Sequence, residues 1–392
     1  MMTQQSDIVI IGGGIVGSAS AYFLSSFSDQ RITLIERSFG KLKGSTGYAP
    51  GFIGQFNESE VLTRLAIDSV KEYTKIPNGF DHVGGLEIAT SKAGVERLQW
   101  RLETARERSL EAELVSAQKA AQMAPDLIKE DNEQALYFPG DGTANPATIT
   151  AFFQSEAAKR GVQLVEGNVT EIRRGDGKVK GVNTTAGYIE ASKVVLAAGI
   201  WAQNLCDFDI PIPVIPVAHP YMYGEHHEPK AYRSPFVRYP EHHVYVRDHG
   251  SYFGLGSYDH KPLAERPKEK AVGGWVDDFD TTLNRSLQFI PEKTKLAARE
   301  KFNGIFAMTP DNMPLVGQIP TVEGLFMAAA VWVTHAAGSA KFLTKMLNGE
   351  VVDETVRKAL DPTRFVGHNS ESLERESLNC YNSIYSTHEA SS

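Results

Sequence analysis

The sequence predicts an α/β chain built in two parts, and three observations carry that expectation. A short apolar run at residues 7–11 leads into Gly12-Gly13-Gly14-Ile15-Val16-Gly17, the spacing of a tight strand-to-helix turn. A second apolar run at 31–35 ends on Glu36 and completes a βαβ unit of about 30 residues. From Ile210 the character changes, with Pro211, Pro213, Pro216 and Pro220 punctuating short aromatic segments that read as β-structure.

Composition bounds what such a chain does. Its 392 residues suit two domains or one large interleaved unit, and 42% hydrophobic with 22% charged residues excludes disorder as the dominant state. Cys206 and Cys380 are the only cysteines, too few for a disulfide framework or a cysteine-based zinc site, which fits a reducing compartment. The formal charge is −8 without any Lys/Arg-rich run, so neither nucleic acid nor an anionic membrane is an expected partner. No Lys or Arg precedes Arg31, so no leader peptide is visible, and the apolar run at 325–333 is about half a membrane span. The expected address is the cytoplasm and the expected partner a small molecule.

The remaining elements follow in order. Residues 95–123 read as a charged amphipathic helix stopping before Pro125, and 146–160 as another helix. Strands are expected at 163–166 and 168–172, at 178–182 with a return through 183–187, and at 192–197. Residues 244–247 and 252–255 flank Asp248-His249-Gly250 as a hairpin. Residues 278–302 look helical, 304–316 return to strand and turn, and a last helix runs from about 336 to 347. After Pro362 the chain is polar, rich in Ser and Glu and without periodicity, so 363–392 is expected to be a mobile tail.

The glycine turn points to a dinucleotide. A phosphate must approach the N–H groups of a helix N-terminus, side chains at Gly12 and Gly14 would block it, and Gly17 lets helix and strand pack closely. Glu36 lies 19 positions after Gly17, right for accepting a ribose 2′-OH, and its charge argues against a 2′-phosphate. FAD is favoured over NAD by Arg37, by the small-residue loop Gly44-Ser45-Thr46-Gly47-Tyr48-Ala49-Pro50-Gly51, and by the late segment 309–317, because an extended FAD needs contacts from both ends of the chain.

At these residues the chain resembles the FAD-dependent D-amino-acid oxidase/sarcosine oxidase superfamily, above all the flavin part of dimethylglycine oxidases and of sarcosine and dimethylglycine dehydrogenases. IVIIGGGIVG, GSTGYAPG, HVGGLEIAT (82–90), VVLAAGIWA (194–202), VAHPY (217–221) and FNGIFAMTPDNMPLVG (302–317) carry the likeness. It implies a Rossmann-like FAD domain assembled from residues 1–75, 146–208 and 304–362. A mixed-sheet substrate domain from 76–145 and 209–303 would roof the flavin. It also implies that Ile15, Val16, Gly44, Ser45, Thr46, Pro50, Val169, Ala198, Gly199, Trp201, Val333 and Thr334 join Gly12, Gly14, Gly17, Glu36 and Arg37 around the cofactor. Relatives commonly carry a flavin-linking histidine where this chain has Tyr48. Others use a cysteine near the late motif, where this chain reads Phe306-Ala307-Met308, so the FAD is expected to be noncovalent. Those relatives continue into a folate-binding portion for which 392 residues leave no room, so free formaldehyde is the expected one-carbon product.

Flavin oxidation of an amine needs an unprotonated nitrogen, a well-positioned C–H bond and a group that takes a proton. By resemblance those groups are His219 and Tyr245, although a core histidine and a strand aromatic are the ordinary readings of such residues. His335 either adds to the positive helix N-terminus facing the flavin or merely caps that helix. Seven histidines fall between His219 and His260, but neighbours such as His226-His227 point to opposite faces of a strand, so no metal is expected. Arg238 and Arg247 are candidates for a carboxylate anchor, though arginine on an antiparallel sheet usually faces solvent, and the anchor stays unassigned. The expected activity is oxidation of a secondary or tertiary amine, with N-demethylation of a sarcosine- or dimethylglycine-like amino acid to formaldehyde leading. Oxygen or another carrier would reoxidise the flavin. The alternatives are a deaminating or ring-oxidising amino-acid oxidase and a flavin-binding protein without catalysis.

Overall fold

In the computed structural model, residues 4–26, 30–207, 210–265, 273–294 and 296–384 are described. A six-stranded sheet runs in the order Gln163–Glu166, Ile32–Glu36, Ile8–Ile11, Lys193–Leu196, Leu325–Ala329, Leu315–Gln318. Its first five strands are parallel and the last is antiparallel to its neighbour. Alternate residues serve opposite faces, as the period of two requires. Ile8 and Ile10 pack with the helices Ile15–Leu24, Glu60–Tyr73, Pro146–Lys159 and Ala336–Leu347. Val9 and Ile11 face a second layer that includes a meander of Val169–Gly175, Lys178–Thr184 and Gly187–Glu190.

Helix Ile15–Leu24 buries nine of its ten residues, which explains its small side chains: it has no polar face because it is enclosed. Its entry is tight. A Cβ on Gly17 would stand 1.9 Å from the Gly12 carbonyl oxygen, so glycine alone allows the helix to start that close to the strand. Helix Pro146–Lys159 starts on Asn145, whose side chain accepts from Thr148 N, with proline at the first position.

The second large layer is a mixed eight-stranded sheet, in the order Ala298–Met308, Ile215–Gly224, Phe253–Ser257, Val244–Asp248, Phe236–Tyr239, Gly85–Ala89, Gln134–Phe138, Glu113–Ser116. Pairing is antiparallel except between Phe236–Tyr239 and Gly85–Ala89. One face, with Val237, Tyr239, Val244 and Val246, packs against Leu283 and Ile290. The other face presents Val217, Tyr221, Phe236 and Tyr245. Among the described residues no helix is long and apolar enough to cross a membrane.

Three expectations need correction. The helix expected over 95–123 is two helices, Lys92–Glu107 and Ala117–Met123, split where Ser109 turns left-handed and Glu113–Ser116 pairs as the sheet's outermost strand. The helix expected to 302 ends at Leu287, since residues from Ala298 onward pair with Ile215–Gly224; their exposed charged end disguises the strand. The tail expected to be mobile contains helix Ser370–Asn382, so the helix from Ala336 is not the last. Asn369 caps it by accepting from Glu371 N and Ser372 N, and Leu373, Ser377 and Tyr381, spaced by four, are all buried. A serine in the middle of that stripe hides its periodicity. Residues 385–392 of the expected tail lie outside the described residues.

Candidate active site

A cavity of about 860 Å³ lies between the carboxyl ends of the parallel strands and the inner face of the mixed sheet, the usual place for a ligand in an open α/β fold. His219, Tyr245 and every residue expected around the cofactor line it except Gly17, which works from behind by packing on Gly12.

At one end stands the glycine turn. Gly14 occupies the N-cap position of helix Ile15–Leu24 and offers no side-chain cap, so the positive end of the helix opens toward the cavity. Thr46 Oγ1 accepts from Ile15 N at 3.2 Å, and Glu36 accepts from Gly13 N at 2.7 Å and Ser38 N at 3.3 Å. A carboxylate has about four lone-pair sites, so capacity remains for a ribose hydroxyl. The Arg37 guanidinium lies 3.8 Å over the Trp201 ring, whose buried Nε1 has no hydrogen-bond partner among the described residues. Asn312 Oδ1 on the same wall is likewise unpartnered. An open helix end, an acceptor at the strand terminus and orphaned polar atoms along the wall fit an extended dinucleotide. The loop through Gly44 is fixed by Ser45 Oγ donating to Ile305 O at 2.6 Å.

At the other end are His219 and Tyr245, 2% and 1% exposed. The Tyr245 hydroxyl bonds His219 Nε2, their rings lie parallel within 8°, and His219 Nδ1 is 2.6 Å from the Tyr381 hydroxyl. Burial pushes the His219 imidazole well below its ordinary value, so it is neutral at pH 7. Gly256, on the strand between them, makes this possible: a Cβ there would come within 2.3 Å of the Tyr245 ring.

Both arginines face inward rather than to solvent. Arg247 is buried and donates to Pro50 O at 2.6 Å, holding the glycine-rich loop without lining the cavity. Arg238 pairs across strands with Tyr245, lines the cavity and lies 3.8 Å from Glu87, which Arg101 grips at 2.7 and 2.9 Å. Nearby Asp141 accepts from Gln55 N, and burial pushes its carboxyl up to about 7. Glu87 carried a signal in the sequence, an acid inside the apolar run Gly85–Ala89; Arg101, on a helix full of charges, carried none.

His335 occupies the N-cap position of helix Ala336–Leu347 but makes no capping hydrogen bond, so of its two readings the cap fails. Burial pushes its ring down to about 4, whereas an unfolded histidine titrates near 6.5. The stability this neutral ring contributes is therefore complete above about pH 6.5 and falls as pH drops toward 4, by up to about 3 kcal/mol. His219 acts in the same direction, whereas Asp141 favours the folded state at low pH and loses that contribution between about 4 and 7. His335→Gln should flatten the acid limb, as read by urea titration of the flavin-free protein at pH 7 and 4.5; an unaltered pH dependence would refute the assignment.

The fold and cavity define a dinucleotide-binding protein. The model of the FAD-dependent oxidoreductase family (DAO) matches residues 7–346, and the chain belongs to that family. It is 28% identical to mitochondrial dimethylglycine dehydrogenase of Homo sapiens, covering 92% of this chain and 44% of that protein. It is 27% identical to human mitochondrial sarcosine dehydrogenase, over 82% of this chain and 37% of that one. The chain thus spans less than half the length of these relatives. Among solved structures, L-proline dehydrogenase from P. horikoshii superposes with a TM-score of 0.83 at 23% identity, over 93% of this chain and 98% of the other. FAD is accordingly the group the cavity serves.

Proposed function

We propose that the chain oxidises a secondary or tertiary amine, and that its substrate is an N-methyl amino acid of the sarcosine or dimethylglycine kind, demethylated with formaldehyde as product. The observation that carries the reading is the neutral His219–Tyr245 pair facing the cavity. Bound flavin supplies the two-electron acceptor; the protein must hold the amine, strip its proton and exclude water. Tyr245 is the group that meets the amine, His219 backs it, and Arg238, directly across the strand pair, is the candidate partner for a substrate carboxylate. The relatives named for dimethylglycine and sarcosine support the substrate class.

We assign cofactor contact to Gly12, Gly14, Ile15, Val16 and Gly17 of the glycine turn, to Glu36 and Arg37, to Gly44, Ser45, Thr46, Tyr48 and Pro50, to Val169, to Ala198, Gly199 and Trp201, and to Val333, Thr334 and His335. In the same reading the segments 1–75, 146–208 and 304–362 form the flavin-binding part and 76–145 with 209–303 the substrate part. Attachment is noncovalent. Tyr48 stands at the position of the linking histidine, and both thiols are engaged away from the cavity, Cys206 with Ala202 O and Cys380 with Pro310 O. Acid precipitation should release all of the flavin, and Tyr48→His should leave a fraction bound to the pellet; a wild-type pellet that stays yellow would refute noncovalent binding.

The deciding experiment mixes the flavin-loaded protein anaerobically with sarcosine, dimethylglycine, proline and glycine. Bleaching of the flavin band near about 450 nm with stoichiometric formaldehyde supports the proposal. Ammonia without formaldehyde would replace demethylation by deamination, and a band that no amine bleaches would sink amine oxidation altogether.

A further inference from the structure

The hydroxyl of Tyr381, on a helix that the chain reaches only late, touches two histidines. His219 Nδ1 lies at 2.6 Å and His260 Nε2 at 2.8 Å. His260 in turn places Nδ1 3.0 Å from the Lys261 carbonyl, in a hydrogen bond at the solvent boundary. Four groups therefore form one file from the cavity outward: Tyr245, His219, Tyr381, His260.

The orientation of every proton in that file follows from its outer end. A carbonyl oxygen only accepts, so His260 Nδ1 carries a hydrogen and donates. The neutral ring then has a bare Nε2, which must accept from Tyr381. A phenol has one proton, so Tyr381 accepts from His219 Nδ1–H, and His219 Nε2 accepts from Tyr245. The bonds all point outward. Burial holds both imidazoles below their ordinary values, which keeps them neutral and the file intact. The helix is pinned in place by Asn382 Nδ2, which donates to Tyr258 O at 2.6 Å and His260 O at 3.0 Å.

We propose that this file is a proton exit, through which Tyr381 and His260 relay the ammonium proton of the amine substrate from Tyr245 to solvent. The inference rests on the amine reading above. The transfer balances: the substrate N–H bond breaks as an O–H bond forms on Tyr245. The original Tyr245 proton moves to His219 Nε2, the His219 Nδ1 proton to Tyr381, and the Tyr381 proton to His260 Nε2. His260 becomes an imidazolium and gives up its Nδ1 proton to water at the boundary; Tyr245 and Tyr381 again hold one proton each, and His219 holds its one on Nε2 until the file returns to its outward-pointing state. Tyr381 and His260 touch neither substrate nor flavin; they are positioning and relay groups. The charged neighbours of the outer end are Lys261, next in the chain, and Asp259, paired with Arg285 at 3.0 Å.

The test uses the flavin-loaded protein with ¹⁵N-labelled histidine. Wild-type spectra should show His219 and His260 both protonated on Nδ1, and Tyr381→Phe should shift the His219 tautomer. In stopped flow with sarcosine, Tyr381→Phe should reduce its flavin about tenfold or more slowly at pH 7, recovering above the substrate's own ammonium pKa, where no proton needs to leave. His260→Gln, at the boundary, should reproduce that pH profile should Tyr381→Phe fold poorly. A His219 protonated on Nε2, or a variant with the wild-type pH profile, overturns the relay while amine oxidation stands. A wild-type flavin that no amine reduces overturns both.

Discussion

Gly17→Ala is expected to yield a protein that holds no flavin and unfolds about 3 kcal/mol or more too easily. The added methyl would sit 1.9 Å from the Gly12 carbonyl oxygen and 3.3 Å from the Ala197 side chain, so helix Ile15–Leu24 must back away from its strand. That helix is buried on nearly all sides, and its retreat disturbs the whole layer. Gly14→Val is the control. Gly14 has φ −67° and ψ −178°, which any residue adopts, and its Cβ would meet only Thr46 Oγ1 at 3.2 Å. Urea titration should find Gly14→Val within about 1 kcal/mol of wild type without flavin, yet the purified variant should be colourless because valine blocks the open helix end. A yellow Gly14→Val would remove the turn from cofactor binding.

Tyr245→Phe is expected to keep its flavin and lose about two orders of magnitude in kcat/KM. The ring is retained, so its parallel packing on His219 and edge contact with Phe52 persist. What disappears is the hydroxyl that bonds His219 Nε2, together with the only group proposed to take the amine's proton. The stability cost of leaving the buried nitrogen unpaired is about 1–3 kcal/mol. Steady-state kinetics and the flavin-to-protein ratio measure the two effects separately; a wild-type kcat/KM would exclude Tyr245 from the chemistry.

Much of the dinucleotide end was legible because its signals are local. The turn at 12–17, Glu36 and the buried strand at 193–196 each declare themselves within a few residues, and the parallel sheet follows from their spacing. The mixed sheet was less so. Residues 299–301 are charged and exposed and look helical until their strand's pairing with Ile215–Gly224 is seen, and Glu113–Ser116 is an edge strand whose neighbour is 134–138. Arg238 and Arg247 were misjudged because the face a strand residue takes depends on what covers the sheet. Tyr381 was invisible: its helix carries Ser and Glu on the outside, and its value lies in touching a histidine 162 positions away.

That distance bears on how the protein is made. Translation delivers the glycine turn among the first residues and Tyr381 near the end of the described chain, so a nascent chain stopped before residue 370 exposes His219 and an unfinished cavity wall. Ser383 and Ile384, which also line the cavity, arrive later still. The part of the mixed sheet formed by Ile215–Gly224 and Ala298–Met308, on which the helix packs, stays uncovered until then, a period of aggregation hazard that ends when the helix docks. Cofactor capture in a closed pocket therefore waits for helix Ser370–Asn382 rather than following directly on the glycine turn.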